Sequence, residues 1–377
     1  MFPYCKLKEN DIKAYYGKLT IEDVEASLEK DQISFTDFMN LVSPAALPLI
    51  DRMREKASAV KKMYFGKTIR FYAPLYISNY CVNDCVYCGF RRTFKADRRR
   101  LSLQEILTEA EVIRGYGIDS LLLVSGEDPK AVSVSFLEEV VAELKKMFSY
   151  ISIEIYPMDE NGYRRLFNAG VHGLTMFQET YDSELYDKLH SGPKKNYEGR
   201  LKAPADGARA GFYNIGLGVL LGLYDWHIEA ISMAAHALWL RKHFWKSKVQ
   251  FSFPRITPVE GSFETPYPVS ELELEQLLLA FRIFFRESDL YLSTRENADF
   301  RKRMSMTCVS HISAASKVIP GSYAVNVDKG LGQFTVKDKS SVAEIASQLE
   351  IEGLEPVFKD WDNCFGTGIK NDSLKTA

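Results

Sequence analysis

FYAPLYISNYCVNDCVYCGF, residues 71–90, joins a β-rich run (71–78) to three cysteines, Cys81, Cys85 and Cys88, spaced C-x3-C-x2-C. The aromatic and apolar residues up to Ser78 mark a strand, so the cysteines stand where that strand gives way to a loop. Further β-rich runs follow at 120–125 (SLLLVS), 150–156 (YISIEIY), 173–178 (GLTMFQ), 214–221 (NIGLGVLL), 248–253 (KVQFSF), 289–294 (DLYLST) and 310–316 (SHISAAS). Most are separated by windows of helical periodicity, such as LSLQEILTEAEVIRGYG, SVSFLEEVVAELKKMF, NGYRRLFNAGV and SELELEQLLLAFRIFFRES. Eight strand–helix units with near-continuous apolar strands predict an α/β fold, a closed (β/α)8 barrel of TIM type over residues 66–320, with an open doubly wound sheet as the alternative. Residues 1–65 read as a helical N-terminal extension and 321–377 as a short C-terminal extension, both expected to pack on the barrel. Within the latter, GQFTVKDKSSVAEIASQLEIEGLEPVFKDWD reads as a strand, a helix and a tail.

Composition narrows the function. With 46% hydrophobic and 26% charged residues in 377, the chain is ordinary globular material, able to bury a large core. The start, MFPYCKLKEN, lacks a signal-peptide pattern, and no apolar stretch approaches membrane-spanning length, so a cytoplasmic protein with no membrane partner is expected. A net charge of −2 gives no general attraction to nucleic acid. The one strongly basic run, RRTFKADRRR (91–100), reads first as a solvated loop and second as a cofactor-side or partner contact.

A barrel places its chemistry just beyond the C-terminal ends of its strands. There the sequence puts the three cysteines after the first strand, Ser125-Gly126-Glu127 after the second, and Glu154 and Tyr156 at the third. Gln178 and Glu179 end the fourth, Arg295 follows the seventh, and Ser313 lies in the eighth.

Three bunched thiols in a chain with six cysteines do not form a disulfide framework. A structural zinc site wants four ligands, and Cys5, Cys308 and Cys364 are isolated. A [4Fe–4S] cubane held by three cysteines keeps one iron open for a substrate or cofactor, so the spacing points to an open cluster ahead of zinc.

The motif, with Tyr87 before its last cysteine, resembles that of the radical S-adenosylmethionine (SAM) superfamily. The resemblance implies a [4Fe–4S] cluster on Cys81, Cys85 and Cys88 and SAM as cofactor, with the protein supplying position. It places Ser125, Gly126 and Glu127 at the SAM amino group, the first glycine of the family's Gly-Gly-Glu element being replaced by Ser125. It also places Tyr87, Glu154, Gln178, Glu179 and Arg200 on the cofactor side, with Tyr156 and Glu154 alternatively lining residues. Within the superfamily the chain resembles the tyrosine-cleaving branch, the 2-iminoacetate synthases of thiamine biosynthesis, through LVSPAA, APLYISNYCVNDCVYCGF, FQETY with LHSGPK, AGFYNIGLGVLLGLYDW, SFPRITP, STRE, HISAAS and the C-terminal segment. The tyrosine lyases of [FeFe]-hydrogenase maturation are the alternative; they are expected to carry three more clustered cysteines near the C-terminus, where this chain offers Cys364.

This branch implies cleavage of the Cα–Cβ bond of L-tyrosine to 2-iminoacetate and 4-methylphenol, with SAM converted to 5′-deoxyadenosine and methionine. By the same resemblance Arg295 anchors the substrate carboxylate, with Ser313 and Tyr76 completing the contacts. Arg255 is the alternative anchor, otherwise a partner in a rim ion pair. Thiazole synthase and an electron donor such as flavodoxin or ferredoxin are the implied partners. An iron–sulfur scaffold and a zinc-stabilised interaction module are the other classes. GLGVLLG reads as close backbone approach, to adenine or to a neighbouring strand, and the six histidines show no metal spacing and read as structural or exposed.

Overall fold

The computed structural model describes residues 9–95, 97–257, 263–324, 332–359 and 361. Eight parallel strands close on themselves: β1 (Thr68–Ser78), β2 (Ser120–Ser125), β3 (Tyr150–Glu154), β4 (Gly173–Glu179), β5 (Asn214–Val219), β6 (Lys248–Ser252), β7 (Leu290–Leu292) and β8 (His311–Ser313). Closure is made at β1, which pairs with β8 through Arg70–Tyr72 and with β2 through Ala73–Ser78. The expected barrel is therefore present, and the open sheet is not. The strands bury both faces, which is why their sequences run apolar rather than alternating.

Helices connect the strands on the outside, several opened by a reciprocal Ser-x-x-Glu capping box, as at Ser102/Glu105, Ser270/Glu273 and Ser341/Glu344. The N-terminal helices dock on the barrel's helical layer. Arg54, on the helix Ile50–Phe65, donates through Nε and Nη2 to the two oxygens of Glu275 at 2.6 and 3.1 Å. Gln276 Nε2 donates to the carbonyls of Leu41 and Ser43 at 2.9 and 2.7 Å.

The C-terminal extension differs from its reading. Residues around GQFTV form no strand; after the expected helix, here Val342–Ile351, a ninth strand, β9 (Glu355–Val357), replaces the predicted tail. The cause is an overhang. β1 begins five residues before its pairing with β2, and β9 pairs in parallel with the exposed start, Thr68–Arg70. No described helix is long and apolar enough to cross a membrane.

Candidate active site

The cysteine loop leaves β1 and is folded around an arginine. Arg98 Nη1 donates to the carbonyls of Asn79 and Phe90 at 2.7 and 2.9 Å, and Nη2 donates to those of Arg91 and Phe94 at 2.5 and 3.3 Å. The basic run is thus not simply a solvated loop: Arg98 supplies the loop's missing backbone donors, and Arg100 lies over the Phe136 ring at 3.8 Å. Cys85 is buried and Cys81 and Cys88 are half-buried, all three as free thiols. Burial pushes the Cys88 thiol up to about 11, while Lys194 pulls the other way.

Among the described residues no three His, Cys, Asp or Glu side chains converge on the position of a single ion. Three free thiols on one loop at C-x3-C-x2-C spacing fit a cubane, which takes each thiolate on its own corner iron and leaves one iron open. Cys308 is buried elsewhere, beside Met304, and Cys5 and Cys364 lie outside the described residues.

Beside the cysteines, four charges with side chains 7–14% exposed form a network that joins the ends of β2 and β4 to the 3-10 turn Gly192–Lys195 and the helix Tyr197–Ala210. Arg200 Nη1 donates to Glu127 Oε1 at 2.7 Å, and its Nε donates to the Phe177 carbonyl at 2.5 Å. Lys194 Nζ donates to Glu179 Oε1 at 2.7 Å and lies 3.9 Å from Glu127. Burial alone would raise the Glu127 carboxyl, but Arg200 and Lys194 outweigh it and hold the group below its ordinary value. Glu179 takes a left-handed φ of 70°, a strained backbone that brings its side chain into this network.

Asn83, between the cysteines, ties the network to the loop: its Nδ2 donates to Glu127 Oε2 at 2.8 Å, and its Oδ1 accepts from the Lys194 backbone at 2.9 Å. Gly126 donates to the Ser78 carbonyl at 2.9 Å, and a Cβ at this position would stand 2.3 Å from the Tyr80 carbonyl oxygen.

Tyr87 is fixed by His190. Burial keeps that imidazole neutral, pushing it down to about 3. The Tyr186 carbonyl, 2.7 Å from Nδ1, can only accept, so Nδ1 carries the proton and Nε2 accepts from the Tyr87 hydroxyl at 2.7 Å. Of the two readings for the histidines, His190 takes the structural one: it is buried, and it orients Tyr87.

A second group gathers over the barrel mouth. Tyr76, Glu154, Arg295, Ser313, Thr294, Ser316 and Phe334 line one cavity. The Arg295 guanidinium stacks on Phe334 at 3.5 Å, its Nη1 donates to the Arg255 carbonyl at 3.5 Å, and no described carboxylate pairs with it. Arg255 is committed, donating through Nε to Glu296 at 2.9 Å and through Nη1 to the Val269 carbonyl at 2.9 Å. The Tyr76 hydroxyl donates to Gln333 Oε1 at 2.7 Å, and Ser313 Oγ accepts from the Thr294 N–H at 3.2 Å. Tyr156 lies outside this cavity; its hydroxyl donates to the Val132 carbonyl at 2.7 Å, and it lines a separate cavity with Glu127, Lys194 and Arg200.

Four buried polar atoms at these strand ends have no partner: Ser125 Oγ, Gln178 Nε2, Thr294 Oγ1 and Ser316 Oγ. Unpaired buried polar groups are costly, and their concentration at one rim fits a polar ligand. The glycine-rich stretch in β5 has the plainer of its two readings: a Cβ on Gly218 would meet the Phe177 ring at 2.4 Å, so it serves close packing of β5 on β4.

Residues 75–235 match the Radical SAM superfamily, and residues 252–355 match the Biotin and Thiamin Synthesis associated domain. The chain is 38% identical over 363 residues, 96% of each chain, to the 2-iminoacetate synthase of Escherichia coli (strain K12). It is 37% identical over the same shares to that of Salmonella typhimurium. Among solved structures it is similar to HydG, a maturase of the [FeFe]-hydrogenase, with a TM-score of 0.88, 30% identity and coverage of 94% of this chain and 80% of that one.

Proposed function

This chain belongs to the 2-iminoacetate synthase family of radical SAM enzymes, and from that premise we propose that it cleaves the Cα–Cβ bond of L-tyrosine. The products are 2-iminoacetate and 4-methylphenol, and the imine serves thiazole formation in thiamine biosynthesis. When bound, the [4Fe–4S] cluster and SAM supply a 5′-deoxyadenosyl radical. Cys81, Cys85 and Cys88 would hold the cluster, and Glu127, Arg200, Gln178, Glu179, Ser125 and Tyr87 would hold SAM.

One observation carries the substrate assignment: Arg295 is a half-buried cation with no described carboxylate partner, and it lines a cavity with Ser313 and Tyr76. An amino-acid carboxylate supplies the missing charge, and the planar fork of arginine fixes its direction. Tight placement matters because the amine must be presented for hydrogen-atom removal while competing C–H bonds are held away.

The reactive imine hydrolyses in water, so we infer hand-over to thiazole synthase. A one-electron donor of the flavodoxin or ferredoxin type is the inferred reductant. The free described cysteines support a cytoplasmic setting, and the net charge of −2 supports the absence of a nucleic-acid partner. The test is anaerobic reconstitution with iron and sulfide, then SAM, reductant and L-tyrosine. Formation of 4-methylphenol with 5′-deoxyadenosine and glyoxylate is expected; 5′-deoxyadenosine without 4-methylphenol would make tyrosine the wrong substrate.

A further inference from the structure

Glu154 ends β3 and stands between two spaces. It lines the cavity over the barrel mouth with Arg295, Ser313 and Tyr76, and it also lines a chamber inside the barrel with Tyr72, Ser152, Gln250 and Tyr291. Among the described side chains around the upper cavity it is the one carboxylate, and no imidazole is present. Glu127 and Glu179 are each ion-paired with Lys194 or Arg200, whereas no described side chain forms an ion pair or donates a hydrogen bond to the Glu154 carboxylate.

We propose that Glu154 is the base that takes the ammonium proton of the bound amino acid, leaving its nitrogen as the neutral amine. The inference rests on the tyrosine-lyase reading above, and it moves Glu154 from the cofactor to the substrate. An amino acid arrives as a zwitterion. With its carboxylate on Arg295, its ammonium lies in the same enclosed space as Glu154, whereas an ammonium losing a hydrogen atom would leave a buried nitrogen radical cation. The transfer is a simple proton exchange: R–NH3+ and Glu154–COO− become R–NH2 and Glu154–COOH, with no electron moved.

The surroundings suit the task. Burial, then Glu179 at the end of β4, push the Glu154 carboxyl up to about 7, while Arg295, Arg200 and Lys194 pull it down. Tyr72 and Tyr76 face it from β1. Relative to an ordinary carboxylate at 4.5, this brings the base closer to the substrate ammonium by roughly two powers of ten, and a catalytic base works best near the operating pH.

The test compares reconstituted wild type, Glu154→Gln and Glu154→Asp by kcat/KM for 4-methylphenol between about pH 6 and 9, with SAM affinity measured separately by equilibrium binding. E154Q should bind SAM as wild type does and lose about 10²- to 10⁴-fold in rate at neutral pH. Its residual rate should climb with pH as free amine accumulates, without the acid limb of the wild type. E154D should keep a carboxylate profile with the acid limb at lower pH, and this limb decides the matter if E154Q does not fold: moved supports the proposal, unmoved overturns it. A wild-type-shaped profile in E154Q, or lost SAM affinity, also overturns it. A wild type that makes no 4-methylphenol removes the lyase reading itself, which separates the two failures.

Discussion

Lys194 and Glu179 are joined by a 2.7 Å hydrogen bond, both nine-tenths buried, beside a cysteine loop whose own thiols are raised by burial. The pair balances the network: Glu127 and Glu179 face Lys194 and Arg200, two charges of each sign. Removing one partner of a buried pair leaves an uncompensated charge and costs about 3–5 kcal/mol. Lys194→Met should therefore lower the unfolding free energy of the metal-free protein by about that much, and adding Glu179→Gln should recover part of the loss. Strictly additive losses in urea titrations of the two single variants and the double would show that the pair is not coupled.

Gly126 is a close-approach glycine, since an added Cβ would lie 2.3 Å from the Tyr80 carbonyl oxygen, one residue before Cys81. Gly126→Ala must displace that backbone or its own. The expected result is a loss of about 1–3 kcal/mol in stability and fewer irons per chain after reconstitution. Iron content and melting temperature both equal to wild type would contradict it.

What the sequence revealed and what it hid differ in range. The strand–helix alternation was readable because it is local and periodic, and the strand-end rule then placed Glu127, Glu179, Arg295 and Ser313 on one rim. The misread tail has a tertiary cause: EPV is too short to announce a strand, and it forms one because β1 overhangs β2. Lys194 and His190 lie in the quoted LHSGPK, but their partners, Glu179 and Tyr87, meet them only through folding. The two anchor candidates show the limit most clearly. Glu296 follows Arg295 in the chain, yet it pairs with Arg255, 41 residues away.

The turn after Glu179 is held by Glu229, whose carboxylate accepts from the Tyr181 N–H at 2.9 Å and from the Thr180 hydroxyl. Burial lifts its carboxyl from 4.5 to about 8 against those hydrogen bonds. A raised carboxyl means that the folded state holds a proton which the unfolded state has already lost. Stability should thus fall as pH rises from about 5 towards 8 and level off above, by up to about 1.4 kcal/mol per pH unit. Glu154 contributes in the same direction, so the comparison is wild type against Glu229→Gln. The variant should show the shallower decline in urea stability across this range; equal slopes would mean that Glu229 is ionised throughout.

Arg255 and Arg295 make opposite predictions. Glu296 is buried, with a side chain 3% exposed, so Arg255→Gln strands its charge and should cost about 3–5 kcal/mol while leaving the KM for tyrosine nearly unchanged in the folded fraction. Arg295 has no described carboxylate partner and burial lowers its pKa, so Arg295→Gln relieves a desolvated cation and should leave the melting temperature level or higher. It removes the fork that holds the substrate carboxylate, a charge-assisted contact of about 1.5–3 kcal/mol, and KM should rise about 10- to 150-fold. Melting curves and tyrosine saturation curves of both variants check this together. If KM rises in R255Q and not in R295Q, the substrate carboxylate displaces Glu296 from Arg255, and Arg295 is a wall of the cavity rather than its anchor.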